Sequence, residues 1–110
     1  MIRDTISEIE ARLQNSSSLS PETRRELTDL LARLKSEVTE LARTDADQAA
    51  SIAGFAQTSA HEATRSEKNE QLLKLSLNGL SASVEGFEQS HPDLVQIVNR
   101  ICTTLSNLGI

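Results

Sequence analysis

Between residues 45 and 90 the sequence has no proline, and its first half repeats alanine on a heptad: Ala46, Ala49, Ala53, Ala56, Ala60 and Ala63 step by 3, 4, 3, 4 and 3. That spacing is helical and lays six of the smallest apolar side chains along one stripe, so a facing helix can approach unusually closely, with Ile52 and Phe55 closing the sides. Downstream, Leu73, Leu77, Leu80, Val84 and Phe87 step by 4, 3, 4 and 3. The two seams are out of phase, since the alanine pattern extends to 67, 70 and 74 whereas leucine comes at 73, and Thr64 to Gln71 between them is almost wholly polar. A stammer, a bend or a loop is expected there. Beside the leucine seam runs a stripe of small residues, Ser76, Gly79, Ser83, Gly86 and Ser90. A glycine inside a helix costs about 1 kcal/mol relative to alanine, which makes a close helix contact a reason for the two glycines. In a chain with 14 serines, tolerated surface residues are the plainer alternative.

The flanking segments are punctuated as helices. Ile2, Ile6, Ile9 and Leu13 recur at helical spacing before the serines at 16 to 18, which predicts a helix over about 2–15. Ser20-Pro21-Glu22 is a start signal: a hydroxyl to accept an orphan N–H, a proline suited to the first helical position, and an acid at the positive end of the helix dipole. From there Leu27, Leu31, Leu34, Val38 and Leu41 define a second helix over about 21–43, antiparallel to the first because the connector is short. Ser90-His91-Pro92-Asp93 repeats the start signal and opens a last helix over about 92–107, apolar around much of its girth through Leu94, Val95, Ile97, Val98, Ile101, Cys102 and Leu105. Gly109 followed by Ile110 fits a left-handed C-cap.

The middle region, 46–89 with a candidate break at 64–71, decides the architecture. As one straight helix it would span about 65 Å, against a radius of gyration of about 13 Å for a compact domain of this length. Either the helix breaks and the chain closes on itself, or it stays long and copies of the chain cover its seams. An alanine seam buries little area per residue, which makes it a poor monomer core at about 25 cal/mol per Å² and favours the second arrangement. The expected fold is all-α: antiparallel helical hairpins around a long central helix in a coiled-coil-like dimeric bundle. Its expected interface is formed by Ala46, Ala49, Ala53, Ala56, Ala60, Ala63, Ser76, Gly79, Ser83 and Gly86.

Composition removes several classes of function. The 110 residues make one domain, and with no Tyr or Trp and only 2 Phe there is little aromatic surface on which to stack a base or a sugar. Net charge is −5, and the one basic cluster, Arg24-Arg25, is flanked by Glu22 and Glu26, so no face is suited to nucleic-acid phosphates. Cys102 is alone, which excludes an intramolecular disulfide and a Cys-rich zinc site; its apolar helical neighbours make it a small core residue. No stretch is apolar for the ~18 residues of a membrane span, the first ten residues are too acidic and interrupted for a signal peptide, and the default expectation is a cytoplasmic protein.

The end of the chain, Phe87-Glu88-Gln89-Ser90-His91-Pro92-Asp93-Leu94 through Leu105-Ser106-Asn107-Leu108-Gly109-Ile110, resembles the closing signature of a family of small bacterial proteins described only as a domain of unknown function. The arm from Leu27 to Leu41 resembles it too, so the resemblance covers roughly residues 6–43 and 84–110, while the alanine-rich middle is longer than the family's pattern. The resemblance implies a short, largely helical bacterial protein, and it brings no catalytic residue with it.

Chemistry-bearing constellations are sparse. His61-Glu62-Ala63-Thr64-Arg65 begins like a zinc-protease helix but has arginine where the second histidine belongs. His91 sits before Pro92, where a side chain caps the helix or faces water, and Glu85 and Glu88 are spaced as acids of an exposed helical face. No serine lies in a nucleophile elbow, and Gly79 and Gly86 sit within a helical period rather than a phosphate loop. No catalytic residue, metal or cofactor is expected. The expected function is a helical oligomerisation and protein-interaction module, with a second copy of the chain or another protein as partner. The alternatives are a small acidic regulator that pairs with a basic protein, and a metal-binding or catalytic bundle that requires His61, His91, Glu62, Glu85 and Glu88 to converge.

Overall fold

The starts of three helices are fixed by side chains that satisfy an orphan backbone donor. In the computed structural model, which describes residues 2–17 and 19–108, five helices form and the described residues contain no strand: α1 Ile2–Gln14, α2 Pro21–Leu41, α3 Ala46–Thr64, α4 Glu70–Ala82 and α5 Pro92–Leu108. Ser20 caps α2 by accepting from the Thr23 N–H, Asp45 caps α3 by accepting from Gln48, and Asn69 caps α4 by accepting from Leu72. The Gly109–Ile110 cap expected after α5 lies outside the described residues.

α1 and α2 form the expected antiparallel hairpin, and Arg24 shows why its short connector holds. Its guanidinium donates to the carbonyls of Leu13 (3.3 Å), Ser16 (2.6 Å) and Leu19 (3.4 Å), so acceptors at the exit of α1 are met from the first turns of α2. The arginine that stood out as half of a basic pair therefore serves the connector. Lys35 pairs with Glu10 at 2.7 Å across the same hairpin.

α3 is the axis of the molecule and packs on each of the other four helices. Its inner side buries Ala49, Ile52, Ala53, Ala56, Ala60 and Ala63 in one continuous core with Ile6, Ile9 and Leu13 of α1, the leucines of α2, Leu73 and Leu80 of α4, and Leu94, Val98, Ile101 and Leu105 of α5. Small side chains on the central element let four helices crowd around it, and the bulk that fills the core comes from the surrounding leucines and isoleucines.

The continuous helix favoured for 46–89 does not form. α3 ends at Thr64, Arg65 turns extended (φ −68°, ψ 152°), and Asn69 restarts the chain as α4. The cause is the polar run between the seams: five residues without an apolar side chain offer a continuing helix nothing to bury, whereas the Asn69 cap stabilises a new start. α4 also ends early, at Ala82. Ser83 is its C-cap and Gly86 adopts φ +94°, a left-handed conformation that favours glycine, with its N–H donated to Glu88 Oε2 at 2.8 Å. The chain is thus a compact globule with a radius of gyration of 12.9 Å and extents of 37 × 24 × 22 Å.

Candidate functional site

The seam proposed as an interface between chains is covered from within. Ala49, Ala53, Ala56, Ala60 and Ala63 are buried by the chain's own helices, while Ala46, at the start of α3, is exposed. Of the small stripe, Ser76 and Ser83 are buried and return their hydroxyls to the carbonyls of Leu73 (2.9 Å) and Leu80 (2.6 Å); Gly79 is half-buried and Gly86 is exposed in the turn after α4. The close helix contact expected of these residues is present between α3 and α4 of one chain. Gln48 of α3 donates to the Ser83 carbonyl at 2.5 Å, and the ring of Phe55 lies over Gly79. Only a residue without a Cβ fits beneath that ring, because an added Cβ would stand 3.0 Å from Cζ and closer still to Cε1 and Cδ1. The break at 65–69 folds α4 back onto α3, so that α4 joins α1, α2 and α5 in covering the seam.

The outer side of the same helix pair has a different character. Phe55 is 41 % exposed, Leu72 42 % and Leu75 59 %, and these are the exposed large hydrophobic side chains among the described residues. Leu72, Leu75, Gly79 and Ala82 follow one another along α4 at helical spacing, and the Phe55 ring joins them from α3. On α3, Ser51, Gly54 and Thr58 are exposed alongside Phe55; on α4, Gln71 and Asn78 flank Leu75. No charged residue occurs from Gln48 to Ala60 or from Leu75 to Val84, in a chain of which 25% is charged. The fold sets these two uncharged segments side by side and antiparallel. Apolar periodicity does not reveal this face. The signal that does is the length of sequence without Asp, Glu, Lys or Arg on a surface-bearing helix.

The candidate chemical groups are dispersed. His61, in the last turn of α3, meets Arg12 of α1, with Arg12 Nη2 2.7 Å from His61 Nδ1. Since a guanidinium only donates, Nδ1 accepts and the other ring nitrogen carries the proton. Glu62 is buried beside it and accepts from Arg65 Nη1 at 3.0 Å. His91 is far along the chain, before α5, its ring 5.7 Å from that of Phe87. Among the described residues no group of three or more His, Cys, Asp or Glu side chains converges as a metal-binding set. Cys102 is half-buried on α5, its Sγ 3.8 Å from the Leu77 carbonyl, and burial pushes its thiol up to about 11. It borders a groove between α4 and α5 with Leu73 and Leu77, rimmed by Lys74, Asn78 and Asn107. Among the described residues no helix is long and apolar enough to cross a membrane.

Neither a curated protein nor a solved structure matches the chain. A family does: residues 27–110, from the first buried leucine of α2 through α5, match the family described as Domain of unknown function (DUF4404), in keeping with the kind of family the sequence resembles. The chain belongs to this DUF4404 family.

Proposed function

We propose that the chain is a non-enzymatic helical protein-interaction module whose working surface is the outer face of α3 and α4. The carrying observation is the pair of uncharged stretches, Gln48–Ala60 on α3 and Leu75 onward on α4, on which Phe55 and Leu75 stand exposed, with exposed Leu72 at their edge beside Lys74, in a chain of which 25% is charged. Charged residues are depleted and aromatic and apolar side chains enriched at the centres of protein interfaces, and a contiguous patch of that kind is uncommon on a surface that meets only water. One feature supports a module that binds rather than catalyses: His61 is engaged with Arg12 and Glu62, while His91 lies on another element against Phe87, so the two histidines do not come together in one site. A face without acids does not suit a basic partner, which counts against the acidic-regulator alternative.

The test is site-specific photocrosslinking in the source cell with the reactive residue at position 75, and at the exposed Ala32 on α2 as the control. Discrete covalent adducts from position 75 and none from position 32 are expected. Adducts from neither position, or from both equally, would overturn the proposal.

A further inference from the structure

We infer that the chain has a second folded form, in which residues 65–69 join α3 and α4 into one helix and two copies exchange α4 and α5. The partner is a second copy of this chain, and what it meets is the inner contact between α3 and α4, so the inference is independent of what binds the outer face.

A helical hairpin can open into such a pair only if the side of α3 that meets α4 and the side of α4 that meets α3 fall on one side of the straightened helix. Here they do. On α3 that side is marked by Gln48, which reaches the Ser83 carbonyl, and by Phe55, whose ring lies over Gly79. The helical stripe through these two takes in Ile52, Ser59 and Glu62, all buried. Continued at the same alternation of 4 and 3, it crosses the break at Ser66 and Asn69 and lands on Leu73, Ser76 and Leu80, the buried residues of α4, and then on its buried cap Ser83. The alanine stripe behaves differently, since its extension meets exposed Glu67, Glu70 and Lys74. The phase slip between the apolar seams therefore belongs to the alanine stripe, while the side on which α3 and α4 meet keeps one heptad register through the break.

The break itself is able to straighten. Residues 65–69 contain neither proline nor glycine. The ion pair of Arg65 with Glu62 is spaced i, i+3, as a continuing helix accepts. Leu72 N–H, which now donates to the Asn69 side chain, becomes an ordinary helical donor. Arg65 and Lys68 balance Glu67 and Glu70, so two breaks brought together add no net charge to a chain of −5. With the twofold axis between Glu67 and Lys68, the continuing stripe sets Ser66 of each copy against Asn69 of the other, a hydroxyl facing an amide.

Every other contact already exists in the single chain. α5 travels with α4, and α1 to α3 of one copy with α4 and α5 of the other rebuild each half from the same core, so the interface has the size of a domain interior rather than of a surface patch. The joined helix over 46–82 is about 55 Å long, against 37 Å for the longest extent of the closed chain.

Refolding the full chain from urea at about 5 μM and at about 1 mM, with mass then read by light scattering after dilution, tests this, since exchange requires two chains to meet while open. Dilute refolding is expected to give monomer. Concentrated refolding should give a fraction of dimer that outlasts dilution, because return requires α4 and α5 to unpack. Ser66→Pro should remove that fraction and leave the melt of the monomer in place: proline cannot continue a helix, and Arg65 before it already has the extended ψ of 152° that a following proline demands. Asn69→Ala should raise the ratio of dimer to monomer by about tenfold or more, because only the closed chain uses that cap and each dimer dispenses with two. Spin labels at Ala50→Cys and Ala82→Cys in a Cys102→Ser chain, mixed with excess unlabelled chain, read the hinge within one copy. The labels should lie under about 25 Å apart in the monomer and about 48 Å apart in the dimer. Monomer alone from concentrated refolding, or a dimer that Ser66→Pro forms as readily, overturns the inference. So does a dimer in which the labels stay close, which would be two closed copies in contact.

Discussion

Phe55 and Gly79 form a matched pair across the α3–α4 contact: the ring occupies the volume that any side chain at position 79 would need. Inside a helix, glycine to alanine alone is worth about 1 kcal/mol of stabilisation. Here the clash reverses the sign. Gly79→Ala is expected to destabilise by about 1–2 kcal/mol, in the range found for overpacked sites. In a Phe55→Ala background the same substitution should stabilise. A double-mutant cycle by urea denaturation measures both, and equal effects in the two backgrounds would remove the close approach from the account.

Ala56 is buried at the inner side of α3, whereas Ala50, less than two turns earlier, is exposed. Ala56→Leu is therefore expected to lower stability by about 1–3 kcal/mol as the surrounding helices are pushed off the seam, while Ala50→Leu should change it by less than about 0.5 kcal/mol. Thermal or urea melts of the two variants decide whether the alanine stripe is core within one chain.

Ser59 is wholly buried on α3, and its Oγ has no hydrogen-bond partner. Burying an unpaired hydroxyl costs about 1–3 kcal/mol, and alanine is the better helix former at the same size. Ser59→Ala is expected to stabilise by about 1 kcal/mol. An unchanged or lowered urea midpoint would show that the hydroxyl has a partner.

The Cys102 thiol, raised by burial from 9.0 to about 11, holds its proton more tightly when folded than when unfolded. At pH 8 the thiolate population is then about a hundredfold smaller in the folded chain, and alkylation by iodoacetamide should be slowed at least that much relative to the chain in denaturant. The sign in pH follows. The folded state binds the extra proton between about 9 and about 11, so stability falls as pH rises through that window, and the native alkylation rate keeps climbing after the unfolded rate has levelled off. Equal rates at pH 8 would place the thiol in open solvent.

Helix positions are legible in this sequence because caps and periodicity are local. Ser20-Pro21 and His91-Pro92 open α2 and α5 where their patterns place them, and the phase slip between Ala63 and Leu73 marks the stretch in which α3 gives way to α4. What covers each seam is not local. The spacing of Ala49 to Ala63 says that the stripe is dry and closely approached, and it says the same whether the neighbour is α4 of this chain or a helix of another. The break at residues 65–69 decides between them, and its direction depends on the Asn69 cap and on the fit of Phe55 to Gly79, a contact between residues 24 apart that no period encodes. The outer face is not legible from periodicity for a related reason, since its mark is missing charge over Gln48–Ala60 and Leu75–Val84 rather than any residue that recurs.

The docking of α1 has a consequence for the order in which the molecule is made. The carbonyls at the exit of α1 wait for Arg24, and the polar fastenings of its outer side, Arg12 on His61 and Glu8 on Gln57, wait for residues 49 positions later. As the chain leaves the ribosome, the helix that emerges first can close its hairpin early but finds its permanent seat only once the third helix has followed it out.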